Sequence, residues 1–181
     1  MGKKVLLAVV TGASLLNFSA GALDQSAPFG LSWGPVDKVP GPSFATREDN
    51  VTLLMYRGNR LPDGARDTEE VVLEVCKKEG LQEIVWISRF LSETEAQAKL
   101  DAILREGTRR YGKPQISEQG LIHWSTGATS AHRKSFGQGL YRILMASRGP
   151  GFNTCSEEHK SMTGHPVSDH WMRFLSNEVG R

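Results

Sequence analysis

The chain has 181 residues, of which 39% are hydrophobic and 23% are charged, and its formal net charge is +2. This composition is typical of one ordinary globular domain, and it argues against a disordered chain or a large multidomain machine.

The first 22 residues have the pattern of a secretory signal peptide. Lys3 and Lys4 precede a mostly apolar run over residues 5–16, and Ala20-Gly21-Ala22 supplies the small residues that a signal peptidase requires. We predict cleavage after Ala22, which leaves one secreted domain over residues 23–181. The competing interpretation of the apolar run is a buried N-terminal strand.

Removal of this segment changes the charge balance. Residues 1–22 contain Lys3 and Lys4 and no acidic residue, so 20 basic and 20 acidic residues remain. A near-neutral domain lacks the broad basic surface that nucleic acids or anionic membranes attract. We therefore expect no nucleic-acid partner. Because the apolar run of about 12 residues is shorter than the roughly 20 that cross a membrane, and no later segment is long enough, we expect no membrane insertion after cleavage. The expected product is a soluble periplasmic or secreted protein whose partner is an envelope protein or a small ligand.

The first half of the domain predicts a β-hairpin. Residues 23–46 are rich in Pro, Gly and Ser, which limits regular structure there. Val51–Arg57 is a compact apolar run that predicts a strand, and 58–68 is a predicted loop. Residues 70–77 and 81–90 then predict two strands joined by a short turn that contains Gly80.

The clearest helix prediction covers Glu93–Tyr111. Ser92 and Glu95 form a capping box at its start, and Gly112 followed by Pro114 ends it. One apolar stripe with a 3.6-residue period is expected to face the sheet: Ala96, Leu100, Ile103, Leu104, Gly107 and Tyr111. Gly107 on this stripe indicates a close approach to another backbone.

The last third predicts two further strands and a short helix. Residues 121–125 and 139–147 have strand character, and a small-residue and basic loop that includes 127–134 joins them. Residues 148–166 are polar and predict a loop. Ser168 is the expected N-cap of a C-terminal helix with Trp171, Phe174 and Leu175 on one face.

These elements predict an α+β fold: a two-layer antiparallel sheet of about five strands with one long amphipathic helix packed on it and a short C-terminal helix. Strictly alternating strand and helix units are missing, which disfavours a doubly wound parallel sheet.

Two short motifs resemble segments of small uncharacterised exported bacterial proteins. They are Phe29-Gly30-Leu31-Ser32-Trp33-Gly34 after the signal peptide and Tyr111-Gly112-Lys113-Pro114 at the helix end. The resemblance implies a location in the cell envelope, and it brings no active-site residue with it.

Cys76 and Cys155 are the two cysteines of the chain. In the oxidising compartment to which a signal peptide leads, an even pair predicts a disulfide bond. The alternative is two separate thiols.

The most chemically suggestive segment is near the C-terminus. Cys155, His159, His165 and His170 are residue types that bind zinc or copper. Their spacing matches no established zinc pattern, and a disulfide would remove Cys155. We therefore assign no metal and no cofactor, keep these four residues as weak metal candidates, and favour solvated histidines on a polar loop.

Other motifs for chemistry are missing from the sequence. It contains no Gly-x-Ser-x-Gly, His-Glu-x-x-His or Ser-x-x-Lys motif. Arg105, Arg109, Arg110 and Lys113 cluster at the end of the long helix. The partial negative charge of a helix C-terminus explains such a cluster, with an anion site as the alternative.

The leading functional hypothesis is a non-catalytic envelope protein that binds a partner or small ligand through the uncovered sheet face or the loops. The alternative is a small secreted hydrolase or metal-dependent enzyme that uses the His-rich C-terminal segment together with His123 or His132. The enzyme requires two or more of the five histidines to converge in a pocket. The binding module predicts an exposed apolar patch instead. The catalytic residues, if any, are unknown at this point.

Overall fold

A computed structural model describes residues 26–36, 39–58, 60–61, 66–126 and 128–168. The expected signal peptide, His170 and the expected helix with Trp171, Phe174 and Leu175 lie outside the described residues.

The described chain forms nine strands and two α-helices. The strands are β1 (Phe44–Glu48), β2 (Val51–Arg57), β3 (Thr68–Cys76), β4 (Gly80–Ser88), β5 (Leu91–Ser92), β6 (Gln115–Ile116), β7 (Ile122–Trp124), β8 (Thr129–Ser135) and β9 (Leu140–Arg148). Helix α1 spans Glu93–Tyr111, and helix α2 spans Phe152–Thr163.

All nine strands belong to one sheet. Its order is β1-β2-β3-β4-β9-β8-β7-β6, and β5 pairs with β9 beside this path. Every pairing is antiparallel. The sheet thus consists of two meanders joined where β4 pairs with β9, and α1 is the connection between them.

The predicted fold of about five strands with one long helix packed on them is wrong, whereas the predicted short C-terminal helix lies outside the described residues. The sheet has nine strands. Strand β1 begins at the end of the segment 23–46 that predicted little structure, and β8 lies in the predicted basic loop. Helix α2 occupies the polar segment that also predicted a loop. These elements escape a search for apolar periodicity because polar or small residues occupy many of their positions.

The hairpin and the long helix are confirmed. Strands β3 and β4 pair directly, with Val72 opposite Val85 and Glu74 opposite Glu83. Ser92 accepts a hydrogen bond from the Glu95 backbone N–H, and the Glu95 side chain accepts one from the Ser92 N–H, which completes the capping box.

Helix α1 packs on one face of the sheet. Ala96 and Gly107 are fully buried, while the larger residues of the stripe are half-buried against the core. The core residues on this sheet face include Tyr56, Leu73, Trp86 and Ile143. Phe29 and Trp33 also pack on this cluster, so they attach the N-terminal segment to the sheet.

Gly80 permits this N-terminal segment to approach the β3–β4 turn. Its φ is +73°, and a Cβ there would lie 2.0 Å from the Gly34 carbonyl oxygen. The backbone of Leu81 also exchanges hydrogen bonds with Gly34, so residues 33–35 are tied to the start of β4.

Helix α2 lies at one end of the opposite sheet face. Phe152, Cys155 and Val167 form a small cluster with Val51 of β2 and Cys76 of β3. A disulfide joins Cys76 to Cys155 with a Cα–Cα separation of 6.1 Å, which confirms the predicted pairing. The disulfide and the cluster together hold α2 against the ends of β2 and β3.

Within the described residues, neither helix has the length and apolar character needed to cross a membrane.

Candidate functional site

The buried stripe of α2 carries polar groups. Phe152, Cys155, Ser156 and His159 are its buried residues, and they lie at i, i+3, i+4 and i+7. Gly164 follows the helix with a φ of +83° and caps it. This left-handed position turns the chain, so that His165 lies back against the helix end.

Two histidines and a glutamate meet at this turn. The Nε2 atoms of His159 and His165 lie 3.8 and 3.3 Å from the two carboxylate oxygens of Glu48. The two imidazole rings are 5.3 Å apart at 74°. The three side chains thus come from β1, from α2 and from the segment after α2.

Asn50 orients His159 within this cluster. The Asn50 Oδ1 atom lies 2.9 Å from the Nδ1 atom of His159, and the Asn50 Nδ2 atom donates to the Cys155 carbonyl at 3.5 Å. Because an amide oxygen only accepts, the proton of a neutral His159 belongs on Nδ1. The Nε2 lone pair then faces Glu48.

The electrostatic setting favours a neutral His159. The imidazole is fully buried, and this burial lowers its pKa; the Glu48 carboxylate acts in the opposite direction as the smaller effect. A neutral imidazole is the form that binds metal ions.

The sequence candidates separate into three groups. His159 and His165 come together. Their separation of six residues is longer than the three or four that place two side chains on one helix face, so the spacing alone did not predict the contact. The turn at Gly164 brings them together, and the sequence did not predict that turn. Cys155 forms the disulfide, so its sulfur is not a metal ligand. His170 lies outside the described residues.

His123 and His132 do not join this cluster. They lie on β7 and β8, which are near the edge of the sheet opposite to β1 in the strand order. Among the described residues, the groups whose ligand atoms lie within 4.8 Å of one another are Glu48 with His159 and His165, and Glu79 with the two bridged cysteines. His159 and His165 therefore meet the requirement that two histidines converge. The further partner that the enzyme hypothesis took from His123 or His132 does not join them among the described residues.

A pair of buried carboxyl groups lies in the hairpin for which the sequence predicted only two strands and a turn. Glu74 and Glu83 face each other across β3 and β4, and both are 0% exposed. Arg148 donates from Nε to Glu83 at 2.8 Å. Burial and the neighbouring Glu83 raise the pKa of Glu74 well above its ordinary value, so Glu74 holds its proton to a higher pH than a solvated glutamate. The signal that could have revealed Glu74 and Glu83 is their place in the two predicted strands, where side chains alternate between the two faces and opposite residues are neighbours.

A cleft of about 490 Å³ opens at the end of the sheet where β9 finishes. Its walls include Trp33 from the N-terminal segment, Arg110 and Tyr111 from the end of α1, and Arg148 from β9. Thr129 and Ser147 line it as well, with their hydroxyl oxygens 3.1 Å apart. The described residues that line the cleft include no histidine, cysteine, aspartate or glutamate.

The basic cluster at the end of α1 is mainly structural. Arg109 and Arg110 both form ion pairs with Glu106, and hydrogen bonds from these two guanidinium groups lower the pKa of Glu106 to about 2. Of the four predicted basic residues, Arg110 also lines the cleft. Trp86 lies in the core, where its indole N–H donates to Thr68.

Comparison with known proteins found no matching family model, no similar curated protein and no similar solved structure.

Proposed function

We propose that this protein is exported to the cell envelope and binds a small organic anion in the cleft beside Trp33, without catalysis. The observation that carries the proposal is the lining of the cleft, which combines two aromatic side chains with two guanidinium groups and no acidic group among the described lining residues.

The guanidinium groups suit an anionic ligand. Arg148 uses its Nε atom for Glu83, and its two terminal nitrogens have no hydrogen-bond acceptor among the described residues. Its side chain is 42% exposed, so these donors are accessible to a ligand. Guanidinium groups bind carboxylates and phosphates through two parallel hydrogen bonds.

The aromatic walls favour a ligand with a planar or apolar part. Trp33 and Tyr111 both line the cleft, and both are half-buried against the core. Small-molecule sites typically combine such apolar walls with a few polar groups that fix orientation. A nucleophile with a histidine or carboxylate base is missing from the described lining, which favours binding over hydrolysis.

The fluorescent aromatic sulfonate 8-anilinonaphthalene-1-sulfonate tests the cleft as a probe. We expect saturable binding to the folded protein that weakens about fivefold in Arg110→Gln, since an exposed charge contact is worth about 1 kcal/mol. Arg109→Gln is the matched control, because Arg109 contacts the same Glu106 but does not line the cleft. Equal affinity in both variants, or no saturable binding, would contradict the proposal.

Export is supported by the pattern of residues 1–22, by the resemblance to exported proteins and by the disulfide, which persists in oxidising compartments. N-terminal sequencing of protein from the periplasm or the medium should begin at Leu23. A chain that begins at Met1 would show that the signal peptide is not cleaved.

A further inference from the structure

We propose that Glu48, His159 and His165 form a zinc site that clamps helix α2 to the β1–β2 hairpin. This site shares no residue with the cleft described above, so each proposal can fail without the other.

The ligand set has the composition of a zinc site. Two imidazole nitrogens and one carboxylate are a set that zinc uses in proteins, with a water molecule or another ligand in the fourth position. A tetrahedral zinc ion about 2.1 Å from each ligand atom separates those atoms by about 3.4 Å. His159 Nε2 lies 3.8 Å from one Glu48 oxygen and His165 Nε2 lies 3.3 Å from the other, both near this value. One ligand atom from each of the three side chains lies within 4.8 Å of the other two.

Asn50 supplies the outer support that zinc histidines normally have. A ligand histidine usually donates its second N–H to an oxygen, which fixes the ring and directs the other nitrogen to the metal. The 2.9 Å contact from His159 Nδ1 to Asn50 Oδ1 meets this requirement. The Asn50 amide is in turn held by the backbone of α2 through Cys155.

The backbone around the cluster is held on both sides. The disulfide fixes α2 four residues before His159, and Val167 packs in the same cluster two residues after His165. The Thr163 hydroxyl donates to the His159 carbonyl and accepts from the His165 N–H, so the turn between the two ligands is also fixed. A site held in this way needs little rearrangement to receive an ion.

The cluster is open at one edge. His159 is completely buried, whereas the side chains of His165 and Glu48 are 11% and 38% exposed. An ion can therefore enter beside Glu48. The competing interpretation is a plain ion pair between a protonated His165 and Glu48, which would hold no metal.

The test uses untagged, oxidised mature protein that is stripped with EDTA and then titrated with ZnCl₂ against a chromophoric chelator. The disulfide must stay intact, because reduced Cys76 and Cys155 beside Glu79 would form a second potential zinc site. We expect about one zinc per chain and a rise in the thermal midpoint on zinc addition, since a ligand that binds only the folded state stabilises it. Cobalt in place of zinc should give the visible absorption of a tetrahedral site.

The decisive variants are Glu48→Gln, at the exposed edge of the cluster, and His165→Ala, whose side chain is 11% exposed; far-UV circular dichroism verifies that each variant keeps the fold. Each should weaken zinc binding at least tenfold, given that loss of a supporting outer contact alone costs tenfold to a hundredfold, and each should abolish the zinc-dependent thermal shift. His123→Ala, on the distant strand β7, is the matched control and should bind zinc as the wild type does. Less than about one-tenth zinc per chain, or unchanged affinity in both decisive variants, would overturn the proposal in favour of the ion pair.

Discussion

Gly107 gives the sharpest test of how α1 packs on the sheet. A Cβ atom at this position would lie 2.4 Å from Cζ2 and 2.6 Å from Cε2 of Trp124. Trp124 is 1% exposed, so its ring has no solvent into which it can move. The close approach that the sequence indicated is therefore real, but the neighbour is an indole ring and not a backbone.

Two opposing effects determine the outcome of Gly107→Ala. Replacement of a helix-interior glycine by alanine stabilises a helix by about 1 kcal/mol. Overpacking of a close-packed interior costs about 1 to 3 kcal/mol. A carbon–carbon contact is relaxed only near about 3.5 Å, so α1 would have to move away from β7 by roughly 1 Å and loosen Ile103 and Leu104 from the cluster around Trp124. The difference between these two magnitudes gives an expected net destabilisation of about 1 kcal/mol, and of up to about 2 kcal/mol if the sheet cannot relax.

Urea unfolding followed by circular dichroism measures this difference. Thr108→Ala is the matched control, because Thr108 is the next residue and is exposed, so it should gain a few tenths of a kcal/mol from helix propensity alone. A Gly107→Ala variant at least as stable as the wild type would show that α1 does not press on Trp124 in this way.

Three further outcomes follow from the buried groups. The pKa of Glu74 is raised in the folded protein, so the folded state holds this proton more tightly than the unfolded state. The resulting contribution to the unfolding free energy is present at low pH. It is lost as the pH rises from about 4.3, the pKa of an unfolded glutamate, through the folded pKa. Glu74→Gln should therefore flatten the fall in unfolding free energy on the alkaline side, and an unchanged pH profile would contradict the assignment. The Cys76–Cys155 disulfide closes a separation of 79 residues, so its loss in a double serine variant should lower the unfolding free energy by up to about 4 to 5 kcal/mol; thiol labelling of denatured, unreduced wild type should find no free cysteine. Leu104→Ala should cost about 2 kcal/mol, because Leu104 is half-buried against β7 and β8, whereas Gln97→Ala on the exposed face should change the unfolding free energy by less than about 0.5 kcal/mol.

The sequence predicted the elements whose local signals agree with one another. The capping box, the apolar stripe and the glycine and proline stop all describe α1, and the structure ends that helix at the predicted residue, Tyr111. The β3–β4 hairpin is likewise defined by two apolar runs and a glycine turn. Both elements therefore follow from information contained in a short stretch of chain.

Helix α2 escaped prediction because its buried face is polar. Its stripe has the spacing of an amphipathic helix, but Cys155, Ser156 and His159 occupy positions where a search for apolar residues expects leucine or valine. Its N-cap residue, Gly151, makes no side-chain cap, so the usual start signal is missing too. The groups that permit this burial are distant in sequence: Cys76 bonds to Cys155, and Asn50 bonds to His159.

Strand β8 escaped prediction for a related reason. Its buried residues are Thr129 and Ala131, which are small, and the strand ends in exposed polar residues. It is held by backbone pairing with β7 and β9, and pairing of this kind does not require apolar side chains. The local sequence alone therefore resembles a loop.

The same reasoning explains how far the histidine cluster could be anticipated. His159 and His165 stood out because histidines concentrate in one segment, but Glu48 lies on a strand that the sequence did not predict and more than 100 residues away. A ligand set that is divided between α2 and β1 becomes visible only when the fold brings the two together.

The attachment of α2 to the sheet indicates why a metal clamp would matter in this protein. The apolar cluster beneath the helix is small, and the other links of the helix among the described residues include the disulfide, the Asn50 contacts, the Lys78–Glu158 ion pair and the stacking of Arg148 on Phe152. An exposed ion pair such as Lys78–Glu158 contributes about 1 kcal/mol or less, so the position of α2 depends mainly on the disulfide at its N-terminal half. The C-terminal half, with His159 and the turn to His165, lies beyond that covalent link. Zinc bound between this end and Glu48 would fix the half of the helix that the disulfide does not, and it would do so with residues whose geometry is already suited to an ion.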